Sequence, residues 1–412
     1  MIARPSVSSD SLPTGWVLKP LKHNLRRLSD KGKGEGKVMA LENIEGWTGQ
    51  ELETGSIFDG DGVKFKKDDL LFGKLRPYLA KVFLAPEPGD AIGDLWALRP
   101  EPESNPKFMF YVLVNPVFID VVNGSTNGAK MPRAEWSFVG AIGVPTPPHT
   151  EQVAIARILD EGTQRIDGLI EKKARFIGLL KEKRAAVITH AVTKGIDPAA
   201  PMKDSGVDWL GRVPAHWEVV PPTALFTESK ERAREGDQML SATQKYGVIP
   251  LAEYEALEQR QVTMAVVNLN MRKHVEVGDF VISMRSMDGG LERARAVGSV
   301  RSSYSVLKPG PDVEGRFYGA LMKSSLYIQA LRLTSNFIRD GQDLNFGHVR
   351  KVKLPKPDIR EQAAIADHIE AETARIDGLI SLTDRSIELL REKRAALITA
   401  AVTGKIDVRT AA

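Results

Sequence analysis

A chain of 412 residues with 42% hydrophobic and 27% charged side chains has the composition of an ordinary globular protein and room for two or three cored domains. It contains no cysteine, which excludes disulfides and thiolate metal sites, and no apolar run of the length a membrane span needs, so a cytoplasmic protein is expected. The net charge of +4 is spread unevenly: zero over residues 1–150, +2 over 151–197, +4 over 198–360 and −2 over 361–412. That is too little for a protein that binds nucleic acid by bulk electrostatics, so any DNA reading must rest on placed side chains or on phosphate contacts shared with partners.

In chain order, the first 150 residues read as a mixed α/β domain. The opening segment, MIARPSVSSDSLPTGW, lacks the apolar stretch of a signal peptide. Ser29 to Lys37 is glycine- and lysine-rich but lacks the spacing and context of a phosphate loop; a basic loop is the expectation. Asp69–Phe72 and Ala80–Leu84 are strand-like, Phe108–Leu113 helix-like, and Asp59-Gly60-Asp61-Gly62 a turn. The lead-in Val144-Pro145-Thr146-Pro147 should end a strand just before a helix begins.

From Glu151 to Asp197 the chain is proline-free and rich in Ala, Leu, Glu, Lys and Arg, which predicts a helix. The same segment recurs from Glu361 to Asp407 without a gap, with 28 of 47 positions identical. The offset of 210 residues is far beyond a solenoid period and marks duplication of a whole unit. A heptad seam runs through Ile170, Ile177, Leu180, Val187 and Ala191, and again through Ile380, Ile387, Leu390, Leu397 and Ala401. It is interrupted at matched places, by Lys173 and Thr383 and by Arg184 and Arg394, where polar groups fix register or meet a partner. Gly168 and Gly378, inside Arg-Ile-Asp-Gly-Leu-Ile, suggest either close approach of another backbone or a helix break. A continuous helix of ~25–40 residues would be about 40–60 Å long. Either each helix packs on its own domain, or the copies pack on each other antiparallel and offer equivalent faces to two copies of a partner.

Pro198–Pro201 through Ser205-Gly206 reads as a linker, and 198–360 as a second mixed α/β domain. It holds strand-like Asp279–Ser283 and Tyr304–Leu307, one helix over Arg316–Ile328 and a turn at Asp288-Gly289-Gly290. Pro13-x-x-Trp16 opens the first half and Pro214-x-x-Trp217 the second; Leu354-Pro355-Lys356-Pro357 repeats the proline lead-in. The anchors match while the contents between them differ, an arrangement for reading two different things. The division expected is therefore 1–150, 151–197, 198–360 and 361–412.

The Glu151-Gln152 and Glu361-Gln362 lead-ins, the Arg-Ile-Asp-Gly-Leu-Ile and Glu-Lys-Arg-Ala-Ala blocks, and Asp208-Trp209-Leu210-Gly211 with Pro214-Ala-His-Trp217 carry a resemblance over essentially the whole chain. The chain resembles the specificity subunits of type I restriction–modification systems. That resemblance implies two α/β (mixed α+β) target-recognition domains in tandem, joined by two long antiparallel helices with pseudo-two-fold symmetry. It implies a non-catalytic subunit that binds double-stranded DNA, two methyltransferase (modification) subunits and, through them, motor-nuclease (restriction) subunits. S-adenosylmethionine, ATP and magnesium would belong to those partners, and no membrane is involved.

The candidate DNA contacts lie in four clusters. In the first half they are Lys74, Arg76, Tyr78 and Lys81 of Phe72–Lys81, and Lys130 and Arg133 of Asn127–Arg133. In the second they are Arg285, Ser286, Gly289 and Gly290 of Ser283–Gly290, and Arg339 and Gln342 of Asn336–Gln342. Arginine suits guanine bidentately, asparagine or glutamine suits adenine, and lysine or glycine-flanked amides suit phosphate. The seven histidines (23, 149, 190, 216, 274, 348, 368) show no metal spacing, and no nucleotide- or methyl-donor-binding motif is present. An autonomous DNA methyltransferase or nuclease, or a coiled-coil scaffold, are the rival readings.

Overall fold

The computed structural model describes residues 12–32, 37–54, 62–126, 131–262, 271–283, 286–334 and 344–406. It falls into two compact units, Met1–Ala174 with Asp384–Ala412, and Arg175–Thr383. The units group the chain differently from the four-segment division, because each boundary falls within a long helix. These helices, His149–Lys194 and Ile359–Val402, are 46 and 44 residues long and unbroken, longer than expected.

The first unit is built on a four-stranded antiparallel sheet ordered Leu25–Arg27, Leu95–Pro100, Leu70–Gly73, Val82–Leu84. Its outer face meets helices Pro106–Leu113 and Pro116–Gly124, each started by an asparagine side chain that accepts from a backbone N–H of the first turn. The second unit repeats that order with unlike residues: Phe226–Ser229, Ser305–Pro309, Phe280–Ile282, Glu292–Arg293. Where one helix is expected over Arg316–Ile328 there are two, Gly315–Leu321 and Ser325–Leu333. The first ends with Met322 as its C-cap, and Ser324 caps the second by accepting from the Tyr327 N–H. The expected linker is instead a short hairpin, Met202–Asp204 paired with Arg212–Pro214.

As expected, each strand ends just before the second proline of its lead-in, Pro147 or Pro357, and the long helix begins two residues later, while the first proline lies inside the strand. Gly143–Thr146 pairs with Val17–Pro20, and Leu354–Lys356 with Glu218–Val220, so Pro145 and Pro355 sit in two-stranded ribbons where a missing N–H is tolerated. Beside each ribbon the same bonds recur. Trp16 Nε1 donates to Glu151 at 3.0 Å, and Trp217 Nε1 to Glu361 at 3.0 Å. Gln152, 1% exposed, accepts from the Asn105 N–H and donates to the Glu103 and Pro147 carbonyls. Gln362, 0% exposed, does the same with Glu314, Asp312 and Pro357. Each pair of sequence anchors is thus a pair of atoms in contact, some 140 residues apart along the chain.

Within each unit the two long helices run antiparallel. In the first unit Asp167 pairs with Arg394 (2.9 Å), and Gly162 lies against Leu397. In the second, Arg184 pairs with Asp377 (2.9 Å), and Ala191 and Val192 share a core with Ile365 and Ile369. The matched arginines on the seam are therefore reciprocal partners of the matched aspartates in the other copy. Ile177, Leu180, Ala191, Ile387 and Ala401 of the expected seam are buried, while Ile170 and Val187 are half-buried. Gly168 and Gly378 neither admit a backbone nor break the helix: a Cβ at either would meet nothing within 4 Å. The glycine of close approach is Gly162, whose Cβ would lie 2.7 Å from the Leu397 side chain.

Candidate nucleic-acid interface

In the first unit the structure joins two clusters that are some 50 residues apart in sequence. The strand Leu70–Gly73 leads into Lys74, and Leu75 forms an antiparallel bridge with Arg133. The Arg76 N–H donates to the Pro132 carbonyl and the Ala134 N–H to the Lys74 carbonyl, both at 2.8 Å. Asp94, in the turn after Gly89–Ala91, sits between them. Its carboxylate lies 3.7 Å from Lys74 Nζ and 3.1 Å from an Arg133 nitrogen, and its carbonyl accepts from the Lys74 N–H. Sequence reasoning missed Asp94, which lies outside both motifs.

Arg76 has a left-handed backbone (φ 49°) and so does Ala80 (φ 46°), bracketing the single turn Pro77–Leu79. Such conformations are strained for residues with a side chain and persist only where surrounding bonds enforce them. Here the Pro132 carbonyl and the Trp47 N–H, which donates to the Ala80 carbonyl, do so. Arg76 is exposed, with no ion pair among the described residues, and Tyr78 is 45% and Leu79 39% exposed. The turn thus leaves both a guanidinium and an aromatic ring exposed. Lys81 does not belong to it: its ammonium donates to the Leu41 carbonyl at 2.7 Å and holds the loop behind.

Lys130, Arg285, Arg339 and Gln342 lie outside the described residues, as do most of their motifs and the residues 59–61 of the expected turn. Of the second unit's other candidates, two are internal. Ser286 is 1% exposed, and its hydroxyl accepts from the Ser283 N–H. Gly290 is buried with φ +77°, and a Cβ there would stand 2.0 Å from the Met322 carbonyl oxygen. Both shape the loop after Phe280–Ile282 rather than face outward. Gly289 is half-buried against the Gln244 side chain. Gly290→Ala should therefore destabilise the second unit by about 2–4 kcal/mol in urea denaturation, through left-handed strain and the clash with Met322. A loss below 1 kcal/mol would mean that the loop simply shifts.

No protein-family model matches the sequence. Among curated proteins, the MjaVIII type I restriction enzyme specificity subunit of Methanocaldococcus jannaschii is 22% identical, covering 97% of this chain and 94% of that one. The EcoDI specificity subunit of Escherichia coli is 28% identical over 128 residues, 30% of this chain, and the match spans only 28% of that subunit. Among solved structures, one described as the structural basis of complex assembly and conformational transition of the type I R-M system gives a TM-score of 0.72 at 16% identity, covering 96% of this chain and all of that one. The HsdS subunit from Thermoanaerobacter tengcongensis gives 0.52 at 16%, covering 96% and 98%. The chain is thus similar over nearly its whole length to a type I restriction enzyme specificity subunit. Its tandem α/β domains and twin long helices are the fold that these solved structures share. Among the described residues no single helix is long and apolar enough to cross a membrane.

Proposed function

We propose that the chain is the non-catalytic recognition subunit of a type I restriction–modification complex in the cytoplasm, reading an asymmetric bipartite DNA target with one domain per half. The observation that carries this is the pairing of identical anchors with unlike readers. The Trp–Glu and Gln bonds and the reciprocal Arg–Asp pairs recur in both units. The loops that follow the equivalent strands Leu70–Gly73 and Phe280–Ile282 share no residue pattern. Two readers on one duplicated frame suit two half-sites separated by a non-specific spacer of roughly one turn of DNA. In this reading Arg76, Tyr78, Lys74, Lys130 and Arg133 serve one half, and Arg285, Gly289, Arg339 and Gln342 the other, while Lys81, Ser286 and Gly290 hold the loops in shape.

The repeated helices would dock two methyltransferase subunits, and through them the motor-nuclease subunits. Support comes from apolar side chains left exposed at equivalent places, Leu169 (41%) with Leu379 (40%) and Leu179 (54%) with Leu389 (50%). S-adenosylmethionine, ATP and magnesium would act on those partners.

The test begins with methylation-site mapping in cells with and without the gene, to define the target. Arg76→Ala should then relax discrimination at one or two bases of a single half, at a cost of about 1–3 kcal/mol in specific binding by the reconstituted complex. Uniform weakening on every sequence would make Arg76 a phosphate contact, and the absence of any target in the mapping would remove the DNA-reading function itself.

A further inference from the structure

A carboxylate stands among the cations of the first recognition domain, and backbone bonds place it there. Gly93, in the left-handed region (φ +66°), turns the chain into Asp94 and the strand Leu95–Pro100. Leu95 is paired with Gly73, and the ladder runs one step further, the Lys74 N–H donating to the Asp94 carbonyl at 2.9 Å. On the other side Leu75 is bridged to Arg133, and the Ala134 N–H donates to the Lys74 carbonyl at 2.8 Å. Lys74-Leu75 is therefore the middle of three neighbouring segments, with Asp94 on one flank and Arg133 on the other.

The side chains meet across that middle segment. Arg133 Nη2 donates to Asp94 Oδ2 at 3.1 Å. Lys74 Nζ lies 3.7 Å from Asp94 Oδ1 and donates to the Gly93 carbonyl at 3.3 Å. The Asp94 side chain is the most covered of the three at 19% exposed, and Arg133 the least at 56%. So exposed a pair adds little stability, and near DNA a fixed negative charge weakens binding to every sequence alike. Orientation is what the acid can supply. A guanidinium has five N–H donors in one plane, so it can give one to Asp94 and two to guanine O6 and N7. Held from behind, its plane is set before DNA arrives, and less rotamer freedom is lost on binding. Asp69 shows the other use of an acid: its two oxygens take two donors of Arg99, at 2.7 and 2.8 Å, and lock that side chain to the sheet.

The geometry points to Asp94 as a positioning residue that holds Arg133 to read one guanine in the half-target of the first domain. This rests on the DNA-reading function proposed above, and it deepens that function by naming the base and adding a residue outside both motifs. The expected effect has two signs. Loss of the acid should strengthen binding to DNA at large and weaken discrimination at a single base pair. A purely structural ion pair would move both in the same direction.

The experiment titrates the reconstituted complex with a duplex carrying the mapped target, with duplexes that each change one base pair of it, and with one lacking it. Asp94→Asn should raise affinity for the duplex without the target severalfold and steepen its salt dependence, since a repulsive charge is gone. The same variant should lose about five- to tenfold of its discrimination at one G·C pair of a single half-site. Asp94→Ala should repeat both effects. Arg133→Ala should abolish discrimination at that same pair, and Asp94→Asn should take nothing further in that background. Arg133→Lys should fail as Arg133→Ala does, because an ammonium offers no coplanar pair of donors. Unchanged discrimination in both Asp94 variants would overturn the proposal. So would a loss at a pair other than the one read by Arg133, or the finding that this pair is A·T. Equal weakening on every duplex, or loss of the folded state in both Asp94 variants, would make Asp94 a structural residue and overturn it too. If wild-type complex itself shows no preference for the mapped target, the DNA-reading function has failed, a result distinct from all of these.

Discussion

Gln362→Leu is expected to cost the second unit about 3–6 kcal/mol, close to the whole stability of many domains. The side chain is fully buried and makes three bonds to backbone groups: it accepts from the Glu314 N–H and donates to the Asp312 and Pro357 carbonyls. Leucine fills much the same volume but leaves one amide and two carbonyls with no partner. Each buried group left this way costs about 1–3 kcal/mol. The glutamine also ties the proline ribbon and the turn before Gly315–Leu321 to the first turn of the long helix, so its loss frees three elements together. Urea denaturation of the full chain should show the transition moved to much lower denaturant. Gln152→Leu should do the same to the first unit. A shift worth less than about 1 kcal/mol would mean that water fills the gap and that the matched glutamines are not structural pins.

Arg394→Ala and Arg184→Ala remove the same residue of the repeat, yet their costs should differ severalfold. The Arg394 side chain is 10% exposed, paired with Asp167, and donates to the Trp47 carbonyl at 3.0 Å. Removing it strands a largely covered carboxylate, a change worth about 3–5 kcal/mol. The Arg184 and Asp377 side chains are 41% and 52% exposed, where water screens the pair and its loss costs about 1 kcal/mol or less. Denaturation midpoints of the two variants decide the matter, and equal losses would show that burial is not what separates them. Arg394 has a second consequence. Trp47, itself in a left-handed conformation (φ 68°), donates to the Ala80 carbonyl behind the Arg76–Tyr78 tip. Arg394→Ala should therefore also loosen the tip, which would appear as weaker discrimination in the half-site read by Arg76.

Much of the frame was legible because it is duplicated. Residues that make the same bonds in two settings must stay alike, so Glu151-Gln152, Asp167, Arg184 and their copies stood out before any contact was known. Their partners were not legible. That Glu151 meets Trp16, or that Arg184 meets Asp377 and not an outside molecule, depends on pairings 135 and 193 residues apart. Gly168 misled because glycine in a helix has several causes, and the close approach falls one and a half turns earlier, at Gly162, which the second copy replaces with Glu372. The recognition loops were legible by residue type alone. Type does not report burial, so nothing in the sequence separates Lys81, Ser286 and Gly290, which are engaged within the fold, from the exposed Arg76, and Asp94 drew no notice. Only the Leu41 carbonyl, the Ser283 amide and the Met322 carbonyl explain the first three.

The near-symmetric frame has an asymmetric order of assembly. The second unit is one stretch of chain, Arg175–Thr383, but the first is completed only by the later segment Asp384–Ala412. Ile398, Ala401 and Val402 share a core with Trp16, Phe108 and Leu159, and Thr399 donates to the side chain of Asn115. On a ribosome adding about 5–20 residues per second, the first recognition domain must wait roughly 10–40 s after its own residues emerge for that last helical segment. The domain translated first is thus the one finished last. A nonsense mutation near residue 383 would leave the distal domain able to close and the proximal one open, an apolar surface for chaperones and proteases to find.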